Sequence, residues 1–367
     1  MEINDSIIRG YIGTYTQGES EGIYTFQLDL SKGTIEEIQV AAKLQNPTYL
    51  TIDKENKYLY SVVKSPSEQD LESNGVAAFN LNEDDGSLKL INYETLEGKS
   101  PCYLSLDKEK RYLLSANYHE GTLAVFPILD AGSIAIPTEI IRHTGFGPNK
   151  ERQEAPHIHY AALSPDERVV FTVDLGTDRI EAYDLNFKSG KLQHIPNLSL
   201  SFAPGSGPRH LAFHPKGRYI YAITELSSQL VVIEYDRDEY SIEALEYISN
   251  LPEDFKGENT GAAIRITKDG RFLYASNRGH NSIAAYRILE EGRNLSLIGY
   301  YSTLGDGPRD FNIDPTGKFL IASNQNTSSI VLFSINQEDG SLKTISDPIK
   351  VPNPVSVEFT HLTSKEE

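Results

Sequence analysis

The chain has 367 residues, with 34 Lys and Arg against 52 Asp and Glu, and its net charge of −18 disfavours the phosphate-backbone attraction on which nucleic-acid binding rests. With 39% hydrophobic and 23% charged residues it is globular rather than disordered. The lone Cys102 excludes an internal disulfide, and no apolar run approaches the roughly 20 residues of a membrane span.

The opening stretch MEINDSIIRGYIGTYT carries no basic segment followed by an apolar one, so a reducing cytoplasm is the expected location. Neither membrane nor nucleic acid is expected as a partner, and nothing in the sequence bears on oligomeric state. In so acidic a chain a cluster of Arg residues would suit an anionic small molecule.

Taken in chain order, YIGTYTQGESEGIYTFQLDLSKGTIEEI reads as strands of a unit that lacks its first strand. Six copies of one pattern follow: YLTIDKENKYLYSVV, YLSLDKEKRYLLSAN, YAALSPDERVVFTVD, LAFHPKGRYIYAIT, IRITKDGRFLYASN and FNIDPTGKFLIASN. Their basic anchors, Lys57, Arg111, Arg168, Arg218, Arg271 and Lys318, are spaced 54, 57, 50, 53 and 47 apart. A period near 50 built of strands means propeller blades. Each copy continues with two more strands around a tight turn, as in GTLAVFPILDAGSI, DRIEAYDLNFKSGKLQHI and SSIVLFSINQEDGSLKTI, where Asp and Gly supply the turn chemistry. The terminal PVSVEF supplies the strand missing at the start and closes the ring, which removes the exposed edge of an open array. The expected architecture is all-β: a seven-bladed propeller of four antiparallel strands per blade, forming a single domain over residues 1–367.

In such a blade the innermost strand runs away from one face of the ring and the second strand returns to it. The start of strand one and the end of strand two therefore share one mouth of the channel. The long connections SPSEQDLESNG, RHTGFGPNKERQEAPH and PEDFKGENTG fall on that side, where loops usually carry binding groups. Nine residues before each anchor stand Thr48, Cys102, His159, Arg209, Ala262 and Arg309. Just past strand two stand Lys64, Tyr118, Leu175, Glu225, Arg278 and Gln325, with Tyr15 from the split blade.

His159, Arg209, Glu225 and Arg278 thus gather from blades three to five. Arg209, Arg278 and Arg309 have the planar donor fork that grips carboxylate or phosphate, and each could equally pair with an acidic neighbour. Glu225 could act as a base on water or be only the counter-ion of the arginines. His157 and His159 are expected on the same strand face by the two-residue alternation, but two ligands do not make a metal site, and none is assigned. Asp174 either caps a turn or holds a neighbouring His in one tautomer; Asn117, Asn277 and Asn324 read as turn caps. His157, Asp174, Arg309, Gln325 and Tyr118 are the expected substrate contacts. Neither GFGPNK nor GSGPRH opens a helix after a strand, so neither is a phosphate loop, and no G-x-S-x-G elbow or Cys/His dyad is evident.

At these residues the chain resembles the seven-bladed propeller lactonase family, which includes bacterial 6-phosphogluconolactonases and the fungal carboxy-muconate lactonizing enzyme. The resemblance runs through YIGTYT, SANYHEGTLAVF, PHIHYAALSPDERVVFTVDLGTDRIEAYDL, GSGPRHLAFHP, ASNRGHNSIAAY and GKFLIASNQN. It implies a catalytic set at His159, Arg209, Glu225 and Arg278. It also implies hydrolysis of an anionic sugar lactone, 6-phospho-D-glucono-1,5-lactone to 6-phosphogluconate, in the oxidative pentose phosphate pathway, without a cofactor. On that reading the arginines hold the ester, and Glu225 or His159 deprotonates water while the other protonates the leaving oxygen. Muconate-type cycloisomerisation would use the same residues, and a non-catalytic binding scaffold would use the same fold.

Overall fold

A computed structural model describes residues 6–64 and 73–362. Seven sheets, each with four strands in chain order from the inside outward, stand around a central channel. Their innermost strands are Leu50–Ile52, Tyr103–Leu106, Ile158–Leu163, Pro208–Phe213, Thr260–Ile266, Pro308–Ile313 and Pro354–Phe359. These define blades one to seven. Two short strands, Leu200–Ser201 and Ile349–Lys350, extend the outer edges of blades three and six. The seventh blade is built from both ends of the chain: Pro354–Phe359 pairs with Ile7–Thr14, so the ring closes as the repeat predicts. Among the described residues helical structure is limited to three 3-10 turns, and no helix is long and apolar enough to cross a membrane.

The repeat can be explained residue by residue. In the turn after strand one, the carboxylates of Asp53, Asp107 and Asp314 each accept two backbone N–H groups from the residues four and five further on. For Asp107 these are Arg111 and Tyr112, at 2.7 and 2.6 Å. The turn that precedes each basic anchor is thereby satisfied from within.

Strand two is buried on both sides, as in Tyr219–Thr224, so each sheet is apolar on both faces. Apolar clusters accordingly fill every seam between neighbouring blades, for example Phe171 and Val173 of blade three against Leu211 and Ile220 of blade four. Tyrosine fastens these seams. Tyr11, Tyr60, Tyr221 and Tyr274 donate their hydroxyls to the carbonyls of Gly86, Gly132, Gly292 and Gly340 in the outer turn of the next blade, at 3.1, 3.1, 2.6 and 2.9 Å. Those glycines have φ of 75, 77, 121 and 80°, where an L side chain is strained, so the turn leaves its carbonyl open to the tyrosine.

Candidate active site

One cavity of about 1030 Å³ opens where first strands begin and second strands end. His159, Arg209, Glu225, Arg278, Arg309 and Tyr118 all line it, together with Tyr15, Thr48, Lys64 and Cys102. The four residues expected from blades three to five therefore meet at one opening. The aim of those on first strands comes from a feature that alternation does not contain. In blades three, four and six the pairing of strand one with strand two slips by one residue at its start, which leaves His159, Arg209 and Arg309 as the extra residue of a β-bulge. Val355, also on the cavity wall, occupies the same position in blade seven. A bulge releases its residue from the ladder and turns it into the channel. The period-two argument for His157 and His159 fails at this point, because the bulge lies at His159.

Glu225 is the centre of the cluster. Its Oε2 accepts from Arg209 Nε at 3.0 Å and Arg278 Nη2 at 2.9 Å, while Oε1 accepts from Arg152 Nη2 at 2.5 Å. Arg209 also donates to the Ala262 carbonyl at 2.6 Å, and Arg278 to the Gly261 carbonyl at 3.1 Å. Burial alone would raise the Glu225 pKa, but Arg278 and Arg209 beside it hold the carboxyl well below the usual carboxylate range. Burial and the neighbouring Arg278 act downward on Arg209; burial and Arg309 act downward on Arg278. Arg278 Nε is buried with no hydrogen-bond partner among the described residues, a donor left unspent.

His159 is 4% exposed. Burial first, and Arg209 second, hold its imidazole well below the ordinary value of 6.5, so it is neutral. Its Nδ1 lies 3.8 Å from Cys102 Sγ, its ring meets Tyr118 edge-on at 5.7 Å, and the ring of His210 lies 5.1 Å away. A Cys/His contact that the sequence did not disclose thus exists. It does not make a thiolate nucleophile, because burial pushes the Cys102 thiol up to about 11.

Three of the expected substrate contacts do not line the cavity. Asp174 does hold a histidine, but the partner is His143, whose Nδ1 donates to Oδ2 at 2.8 Å while Tyr183 hydroxyl meets Nε2 at 2.9 Å. Asp174 Oδ1 accepts backbone N–H groups of His157, Gly176 and Thr177, so the carboxylate is spent on folding the rim. The His157 ring stacks on Tyr118 at 4.2 Å and its Nδ1 donates to the Tyr118 carbonyl at 2.8 Å. Gln325 is outside the lining, its N–H donating to the Gly307 carbonyl at 3.0 Å. Arg309 lies over the Tyr15 ring at 5.8 Å. Asn117 and Asn324 donate to the carbonyls of Lys99 and Thr303, as loop-fastening residues do. No group of three or more His, Cys, Asp or Glu side chains among the described residues is arranged for a metal ion.

Arg152 was not singled out by sequence. Its loop is one of the three long mouth-side connections; of the first of these, residues 65–72 lie outside the described residues. The loop is tied down by Gln153, fully buried, whose Nε2 donates to the Leu175 carbonyl at 2.8 Å and whose Oε1 accepts from Asn149 N at 3.2 Å. Its base crosses Gly176 so closely that a Cβ there would stand 1.9 Å from the Ala155 carbonyl oxygen. Only the length of the loop and its position after blade two signalled a contribution to the site.

The cavity wall carries Lys64, Lys99, Arg152, Arg209, Arg278 and Arg309 against two acids, Glu225 and Asp310. Asp310 is already paired with Arg265 at 3.0 Å. A positive pocket in a chain of net charge −18 suits an anion. Below it Tyr103 packs on Tyr49 and Tyr160 at 4.3 and 4.6 Å and meets His210 at 5.1 Å. Past this layer a second cavity of about 510 Å³, lined by Arg265 and Glu358 among others, opens beside the turns between first and second strands.

Comparison with known proteins agrees with this arrangement. The family described as "Lactonase, 7-bladed beta-propeller" matches residues 9–359. The 6-phosphogluconolactonase of Bacillus subtilis (strain 168) is 44% identical over 352 residues, covering 96% of this chain and 98% of that protein. The crystal structure of a Lactobacillus plantarum protein, 36% identical, superposes with a TM-score of 0.90 over 97% of this chain and 100% of the other. The structure of the Pseudomonas aeruginosa periplasmic gluconolactonase, 29% identical, gives a TM-score of 0.90 over 98% and 100%. The ring of seven blades, the carboxylate held by arginines at its mouth and these matches along nearly all its length place the chain in the seven-bladed β-propeller lactonase family.

Proposed function

We propose that the protein hydrolyses 6-phospho-D-glucono-1,5-lactone to 6-phosphogluconate, and that His159, Arg209, Glu225 and Arg278 perform the reaction. The observation that carries the reading is one buried carboxylate held ionised by three guanidiniums beside a neutral imidazole, in a cation-lined cavity large enough for a sugar phosphate. Arg209 and Arg278 stabilise the oxyanion that develops on the lactone carbonyl. Glu225 holds both in place and, with its basicity suppressed by them, serves as an acceptor that orients water. His159 takes the proton from that water. The new bond forms at C1, the bond from C1 to the ring oxygen breaks, and the proton passes from His159 to the ring oxygen as it becomes the C5 hydroxyl. No step calls on a metal or organic cofactor. A phosphorylated sugar substrate fits the oxidative pentose phosphate pathway and a cytoplasmic setting.

The test is acid release from freshly generated 6-phosphogluconolactone, measured against spontaneous opening and against Arg209→Ala and Glu225→Ala. The wild-type protein is expected to exceed the spontaneous rate and both variants to fall towards it. A wild-type rate equal to the spontaneous one would sink the hydrolase reading.

A further inference from the structure

The three guanidiniums on Glu225 are not equivalent. Arg209 and Arg278 are 3% and 17% exposed at the side chain, and each is also anchored to a backbone carbonyl. Arg152 is 38% exposed, and among the described residues its guanidinium has only Glu225 Oε1 and a long 3.4 Å contact to Tyr118 hydroxyl. Its backbone, by contrast, is fixed: Arg152 N donates to Asn149, and buried Gln153 pins the next residue to Leu175. Rotation of the side chain alone can therefore exchange its partner, with no movement of the loop.

What would take Arg152 from Glu225 is a stronger anion at the cavity wall. Glu225 is already neutralised by two cations, so the third adds least there. A phosphate dianion offers the planar fork two parallel hydrogen bonds. The neighbourhood suits that charge, because Lys99, Tyr118 and His119 also line the cavity, with the His119 ring edge-on to Tyr118 at 5.3 Å.

We propose that Arg152 is the phosphate-recognition residue of this site, and that the substrate phosphate draws it off Glu225, freeing Oε1 for the attacking water. Recognition of the far end of the substrate is thereby coupled to readiness at the reacting end. The proposal rests on the lactonase reading above and adds to it the reason a phosphorylated lactone would be preferred.

Two measurements on the full chain test it. In the first, kcat and KM are determined for 6-phosphogluconolactone and for unphosphorylated glucono-1,5-lactone with wild type, Arg152→Lys and Arg152→Gln. Arg152→Gln is expected to lower the preference for the phosphorylated substrate by about 10- to 100-fold, the scale of one charge-assisted hydrogen bond, with partial rescue in Arg152→Lys. In the second, inorganic phosphate is titrated calorimetrically into the same proteins, and its affinity is expected to fall by a similar factor. Equal losses on both lactones with phosphate affinity intact would show that Arg152 only props Glu225, and would overturn the proposal. If wild type opens neither lactone, the hydrolase reading falls, and the phosphate titration still decides the role of Arg152: weakened binding supports it, unchanged binding refutes it.

Discussion

At the mouth of the channel one acid, Glu225, is met by Arg209, Arg278 and Arg152; towards the other opening one guanidinium, Arg265, serves two acids, Asp310 and Glu358. Burial acts upward on all three carboxyls, yet they shift in opposite directions. Arginine wins over burial at Glu225 and holds it ionised. Burial wins at Asp310, where Arg265 opposes it. At Glu358 burial, opposed by Arg265 and reinforced by Asp310, pushes the carboxyl up to about 8. The number of guanidiniums within reach decides the sign. The mouth is thereby built to keep charge where a reaction can use it. The deeper layer, beneath the packed rings of Tyr49, Tyr103 and Tyr160, raises the pKa of both its acids.

The sharpest way to break this contrast is at the mouth. His159→Asn should lower kcat on the lactone by about 10²- to 10⁴-fold, the usual contribution of a positioned proton carrier, while circular dichroism shows an intact fold. Arg209→Lys keeps a charge but loses the fork shared between Glu225 and the Ala262 carbonyl, and should cost about 10²- to 10³-fold in kcat, the range seen for one oxyanion donor. If either variant retains wild-type turnover, its residue is not part of the machinery.

The pH dependence sharpens the contrast without mutation. A base held neutral well below 6.5 remains competent through the neutral range, so kcat/KM should be flat near pH 7 and fall only on the acid side of the ordinary imidazole value. A midpoint at or above 6.5 would mean that another group is the base. The smallest effect belongs to the deeper layer. Because the folded pKa of Glu358 is raised, its contribution to stability is present below about 4.5, the unfolded value, and lost as pH rises through about 8. Glu358→Gln should therefore match wild type in acid and exceed it above pH 8 by on the order of 2 kcal/mol in denaturant unfolding. Equal stability at both pH values would show that the carboxyl is not destabilised by burial.

How far the site could be read depended on whether a residue occupied a repeating position. His159, Arg209 and Arg309 stand nine residues before a basic anchor, and Glu225 and Arg278 close a second strand, so counting alone brought them together. Arg152 has no counterpart in other blades. It reaches Glu225 from an irregular loop whose path depends on Gln153 and Gly176, and no period encodes that. Asp174 and Gln325 occupy rim positions in sequence, but local hydrogen bonding turns Asp174 towards His143 and leaves Gln325 outside the cavity. Cys102 and His159 are 57 residues apart, and only the packing of blade three against blade two makes them neighbours.

The sequence by itself determined the blade count, the split seventh blade and the shared rim, because turn residues and alternating strands recur at a spacing that only stacked four-stranded sheets satisfy. Tertiary structure alone decided how first-strand rim side chains turn inward, through β-bulges that interrupt the alternation, and how each ionisable group titrates. Both depend on neighbours delivered by other blades, and electrostatic energy in a buried site is set by distance in space, whatever the separation along the chain.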